Sequence, residues 1–156
     1  MLDVKFIDLA IIKTTRVEAS REDAWRAWTD EAELVRWFCN GAKVELVPGG
    51  AYEIYFLMDS PVGSRGGEGN VIQSFQPKRL LAFTWNAPPS FGPLRDQRTF
   101  VLLEFTDASD GGTQVKLTHY GWRPGKDWAK VYEYFDAAWA RVMVSLTRYL
   151  GTSVEE

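Results

Sequence analysis

Side chains suited to metal binding and redox chemistry are almost missing from this sequence. Its 156 residues include one cysteine, Cys39, and one histidine, His119. A lone cysteine closes no internal disulfide, which suits a reducing compartment. One Cys and one His do not make a conventional zinc site or a two-histidine iron site, so the sequence implies no metal or other cofactor. No apolar run reaches the roughly 18 residues that a membrane helix needs. Asp3 and Asp8 interrupt the start of the chain, and no small-residue cleavage site follows a basic region. The segment therefore does not read as a signal peptide, and a cytoplasmic location is the expectation. Basic charge is not in excess: 18 Lys and Arg against 21 Asp and Glu leave a net charge of −3. That balance gives no electrostatic footprint for nucleic acid or an anionic membrane. Repeats and low-complexity segments are also missing.

What the chain has in quantity is aromatic surface: seven Trp, nine Phe and six Tyr. Each such side chain buries about 150–250 Å², so together they exceed what a minimal core requires. Either the core is aromatic-rich or a cavity has aromatic walls. The length fits one domain spanning 1–156, with a core of about 8–150, and needs no disulfide or metal staple.

Asp8 to Val17 is rich in Ile, Val and Thr and reads as a strand. Ser20 followed by Asp23 is a helix-start signal, and Asp30 followed by Glu33 is another. Two short helices back to back result, ended by Gly41. Strands follow at Ala42–Val47, Tyr52–Leu57, Gly69–Phe75 and around Leu81–Trp85. Asn86–Asp96, with three prolines and a glycine, is a loop. Val101, Leu103 and Phe105 share one strand face. Val115, Leu117 and His119 share another across the hairpin signal Asp110-Gly111-Gly112. From Lys126 to Leu150, apolar residues at spacings of three and four make a long amphipathic helix, with Gly151 where a C-cap belongs. The short connections imply an antiparallel sheet of about seven strands in an α+β fold, and only the last helix is long enough to cover it.

Four stretches carry a resemblance. They are Ala24-Trp25-Arg26-Ala27-Trp28-Thr29-Asp30 with Leu34 and Trp37; Gly49-Gly50-Ala51-Tyr52; Gly69-Asn70-Val71 through Pro77-Lys78-Arg79-Leu80 to Phe83-Thr84-Trp85; and Gly112 through His119 with Gly121-Trp122, followed by Trp139 and Leu146. In order and spacing they resemble the activator of heat-shock-protein-90 ATPase homologue 1-like family, single-domain bacterial type. That family belongs to the SRPBCC, or START-like, helix-grip superfamily. The resemblance covers about residues 8–150. It implies a curved antiparallel sheet wrapped around the C-terminal helix, two short helices after the first strand, and often a hydrophobic cavity between sheet and helix. Two features depart from the family: Ala138 stands where glycine is common, which reads as a packing detail, and the loop at Pro88-Pro89 is individual and could reshape a pocket entrance. Superfamily members bind lipids, hormones or polyketides, and a few act on them. The eponymous co-chaperones carry a further N-terminal domain for which this chain has no room, so chaperone activation does not transfer with the name.

The leading functional expectation is binding of a small hydrophobic molecule between sheet and helix. The candidate lining residues are Tyr52, Ile54, Phe56, Phe83, Trp85, His119, Trp139 and Met143. The bland alternative is that these rings simply fill the core. No catalytic residue is assigned. A polyketide cyclase-, aromatase- or hydrolase-like enzyme is a second reading, for which His119 and the Tyr52 hydroxyl are the candidate polar groups. A chaperone-interaction module is a third. His119 reads more readily as a structural histidine than as an acid–base group. A Cys39–His119 nucleophilic pair has no third, orienting residue to support it. The run Gly63–Gly69 lacks the ending of a phosphate loop and reads as a flexible hairpin connection. Arg95-Asp96-Gln97-Arg98 reads as a solvated loop rather than an anion-selecting cluster. Nothing in the sequence sets an oligomeric state.

Overall fold

In the computed structural model, residues 9–151 are described. Strand β1 spans Ile11–Val17, and two helices follow at once, α1 (Arg21–Thr29) and α2 (Glu31–Trp37). Asp8, expected at the start of the first strand, and the leader reading of the opening residues lie outside the described residues. The Ser20 hydroxyl accepts from the Asp23 N–H at 3.1 Å and starts α1. Asp30 starts α2 by accepting from the Ala32 N–H at 2.9 Å. Glu33 closes no capping box; its carboxylate accepts instead from Arg26 and from the Tyr149 hydroxyl.

A helix leaves its last carbonyls without intrahelical partners. Here two buried aromatics take up those of α1. The Trp37 indole N–H donates to Ala27 O at 2.8 Å, and the Tyr52 hydroxyl donates to Trp28 O at 2.7 Å. The second bond pins the helical pair to the sheet. Gly41 does not end a helix, as the sequence suggests; α2 ends at Trp37 and Gly41 opens the next strand.

Strands β2 (Gly41–Val44), β3 (Tyr52–Tyr55), β4 (Ile72–Gln76), β5 (Leu80–Trp85), β6 (Thr99–Asp107) and β7 (Thr113–Tyr120) precede the long helix α3 (Lys126–Tyr149). Five strands form one antiparallel sheet in the order β1-β7-β6-β5-β4, and β2 pairs with β3. The ribbon of β2 and β3 continues the sheet through bridges at Ala51–Val71 and Tyr55–Gly66. A register shift between Ile72 and Ser74 bends β4 where the two parts meet. The segment Pro89–Asp96, expected to be a loop, forms short 3-10 turns kinked at Gly92.

Alternation decides what faces inward. On β6, Thr99, Val101, Leu103 and Phe105 are buried; on β7, Thr113, Val115, Leu117 and His119 are. The register sets His119 opposite Val101 on one side and Ile11 on the other. Helix α3 lays Trp128, Val131, Phe135, Trp139, Met143 and Leu146 into the concave side.

Candidate functional site

The sheet and α3 do not close on each other completely. A cavity of about 440 Å³ remains between α3, the end of α2 and the β3–β5 end of the sheet. Trp37 and Phe38 from the end of α2, Phe56 and Leu57 after β3, and Trp85 at the end of β5 form one side. From α3, Phe135, Ala138, Trp139 and Val142 form the other. Pro88 and Pro89 lie at its edge, so the individual proline loop does shape this space. The rings brace one another. Phe38 is stacked on Trp37 with centroids 5.0 Å apart and lies nearly parallel to Trp85 at 6.3 Å. Trp85 and Trp139 approach to 5.4 Å.

Of the residues that the sequence proposes as lining, Phe56, Trp85 and Trp139 border the cavity, and the other five sit elsewhere. Tyr52, Ile54 and Phe83 are fully buried. Tyr52 stacks on Phe83 at 4.3 Å, and its hydroxyl is spent on Trp28 O. Burial holds the Tyr52 phenol well above its ordinary pKa. Met143 borders a separate groove beside β1.

His119 sits behind the wall. The Trp139 indole N–H donates to its Nδ1 at 2.9 Å. That leaves the ring proton on Nε2, which is 2.7 Å from the Thr99 hydroxyl. Thr99 in turn donates to Trp85 O at 3.3 Å. With Trp122 and Phe135 against its faces at 4.4 and 5.0 Å, the imidazole is fully buried. Burial pushes its pKa down from 6.5 to about 3. It stays neutral, and both nitrogens are occupied. Its partners are two side chains, as suits a structural histidine. Cys39 is elsewhere: its thiol points at Leu34 O at 3.6 Å, and burial pushes its pKa up to about 11. The two residues form no nucleophilic pair.

The glycine-rich connection is held, not loose. The Glu68 carboxylate accepts from the N–H groups of Gly63, Arg65 and Gly66. Burial acts to raise the Glu68 pKa, but those backbone donors outweigh it and the net direction is downward. Arg95 donates to Ala87 O, Gly63 O and Gly66 O, and Arg98 donates to Glu68 O and Asn70 Oδ1. The expectation of a solvated loop at Arg95–Arg98 is therefore corrected. Both guanidiniums are cross-links that satisfy carbonyls of a segment with few side chains of its own.

Three lining features escape a reading of apolar patterns. Ala138, which the sequence presents as a packing detail, lines the cavity. Arg65 and Arg141 also border it, one from each side. Among the described residues no group of His, Cys, Asp and Glu could hold a metal ion. No helix described is long and apolar enough to cross a membrane.

A family model described as activator of Hsp90 ATPase homolog 1-like protein matches residues 18–151. No curated protein matches the chain. Among solved structures, the fold is similar to that of protein MLL2253 from Mesorhizobium loti, with a TM-score of 0.73 and 21% identity over 91% of this chain and 96% of that one. It is also similar to the Aha1 dimer from Colwellia psychrerythraea, with a TM-score of 0.68 and 18% identity over 94% and 99%. DynU16, a protein of the dynemicin biosynthetic locus, has a TM-score of 0.66 and 20% identity over 94% of this chain and 48% of that one.

Proposed function

The chain belongs to the activator of Hsp90 ATPase homolog 1-like family, and from that premise we propose that it binds a small hydrophobic molecule in the cavity between its sheet and its C-terminal helix. The observation that carries this reading is the cavity itself. Its volume of about 440 Å³ lies within the range of about 300–1,000 Å³ for small-molecule sites, and its walls are mostly apolar, with seven aromatic residues among them.

Binding without catalysis is favoured over a cyclase-like or hydrolase-like activity by what faces the space. Among the described residues the cavity wall contains no His, Cys, Asp or Glu, and the two polar groups that the enzyme reading needs, His119 and the Tyr52 hydroxyl, are engaged elsewhere. DynU16 lies in a biosynthetic locus; carried to this chain, that suits a small-molecule ligand. A cytoplasmic setting is part of the same proposal and fits the single, unpaired cysteine.

Two measurements test this reading. Native mass spectrometry of the purified protein should show a small molecule that is lost on denaturation. Independently, the neutral dye N-phenyl-1-naphthylamine should bind the emptied protein with a rise in fluorescence. Ala138→Trp, which puts an indole into the space, should weaken that binding by roughly tenfold or more, about 1.4 kcal/mol. Dye binding that is absent, or that is indifferent to Ala138→Trp, refutes the proposal.

A further inference from the structure

The charged part of the cavity wall has one sign. Arg65 comes from the segment after β3 and Arg141 from α3, and among the described residues no carboxylate borders the space. This is unexpected in a chain whose net charge is −3. The nearby acids are committed elsewhere. Glu68 is used by three backbone N–H groups, Glu53 by Tyr55 and the Gly69 N–H, and Glu33 by Arg26 and Tyr149.

The two arginines are left open. Arg65 is half-buried and spends only its Nε–H, on Ser60 O at 2.8 Å; its terminal nitrogens have no acceptor among the described residues. Arg141 has neither a hydrogen bond nor an ion pair among them. On α3, Arg141 is seven residues after Tyr134 and four before Ser145, with Ala138 between, so these residues share the stripe that faces the cavity. The Ser145 hydroxyl donates to Trp37 O and the Asn86 amide donates to Gly66 O, so neither competes for an anion.

Guanidinium groups favour a carboxylate because they present several donors in one plane. Arg65 is half-buried and Arg141 is exposed, so a carboxylate between them gains charge-assisted hydrogen bonds without the full desolvation cost of a buried pair. Resting on the ligand-binding reading above, we propose that the cavity takes an amphipathic anion: a flat apolar body seated between Phe38, Trp85 and Trp139, carrying one carboxylate that Arg65 and Arg141 receive.

Isothermal titration calorimetry with 2-naphthylacetate and its primary amide tests this, because the two differ in charge and little in shape. The carboxylate should bind the wild-type protein about fivefold tighter or more. That preference should fall below about twofold in Arg65→Gln or Arg141→Gln and return in Arg141→Lys, with thermal unfolding confirming the fold of each variant. The preference should also shrink with added salt. Equal or weaker binding of the carboxylate overturns the proposal, as does binding of neither compound. A preference that survives the double Gln variant overturns the assignment to these arginines. The neutral-dye experiment on Ala138→Trp separates this failure from failure of the cavity reading, since the dye carries no charge.

Discussion

Replacing Trp139 probes the cavity wall and the buried histidine together. The residue is 2% exposed, so alanine in a filled core site would cost about 3–5 kcal/mol. Two details of the structure move that figure. One side of the indole borders the cavity, so fewer contacts are lost there. The His119 Nδ1 also loses its donor, a penalty of about 1–3 kcal/mol if it stays dry. In Trp139→Ala it does not stay dry, because the new void joins the existing cavity and admits water. We expect a loss of about 3 kcal/mol. Trp139→Phe keeps the wall closed and the acceptor unpaired, so this milder change should cost nearly as much, about 2–3 kcal/mol.

The pH dependence should distinguish the two variants. The wild-type His119 pKa is depressed from 6.5 to about 3. Between those values the unfolded chain binds the proton and the folded one does not. The stability contributed by keeping this ring neutral is therefore complete above about pH 6.5. It falls as the solution is acidified, by up to roughly 1.4 kcal/mol per unit. Water at the ring in Trp139→Ala raises the folded pKa and flattens that slope. With one histidine in the chain, its ring resonances in an NMR titration are unambiguous. Wild type and Trp139→Phe should show no titration above pH 5, and Trp139→Ala should titrate nearer 6.5. Urea denaturation gives the energies. A loss under about 0.5 kcal/mol in either variant, or a wild-type histidine that titrates above pH 5, refutes the reasoning.

Arg95→Ala removes three charged hydrogen bonds to carbonyls from a side chain that is 16% exposed. It should cost about 2–3 kcal/mol and speed amide exchange across 63–69; unchanged exchange would show that Glu68 alone holds the segment. Cys39, with its thiol pushed up to about 11, should react with Ellman's reagent at pH 8 roughly tenfold or more slower than in the urea-unfolded chain. Equal rates would mean the thiol is solvated. Gly112→Ala forces a Cβ to 2.4 Å from Val17 O at a φ of +77°. It should cost about 2 kcal/mol or more; a variant as stable as wild type by calorimetry would show that this hairpin gives way freely.

The fold was readable because its elements declare themselves locally. Alternation on β6 and β7 fixes which residues face inward, and the spacing from Trp128 to Leu146 fixes one face of α3. The limit of that logic shows at Tyr52, Ile54 and Phe83. Alternation says that they face inward but not what covers them: the end of α1 covers Tyr52, and the Tyr52 ring covers Phe83. Two hydrogen bonds at the end of α1, from Trp37 and Tyr52, decide this, and neither has a local signature. On α3 the same limit hid Arg141 and Ala138. A search for apolar residues at helical spacing follows the heavy stripe into the core and passes over the neighbouring stripe that borders the cavity. Arg95 and Arg98 were unreadable for another reason. Most of their hydrogen-bond partners lie about thirty residues away, and all but the Asn70 Oδ1 are backbone carbonyls.

The bonded chain from Trp139 through His119 and Thr99 to Trp85 O ties the helix wall of the cavity to the sheet wall by way of one imidazole tautomer. Those hydrogen bonds brace the spacing of the walls against change by whatever occupies the gap. The inner end of the cavity acts as a gauge of set width, while at the other end Arg95 ties the proline and glycine segments to each other. Discrimination by thickness belongs at the gauge: planar bodies should pass and puckered ones of equal volume should not.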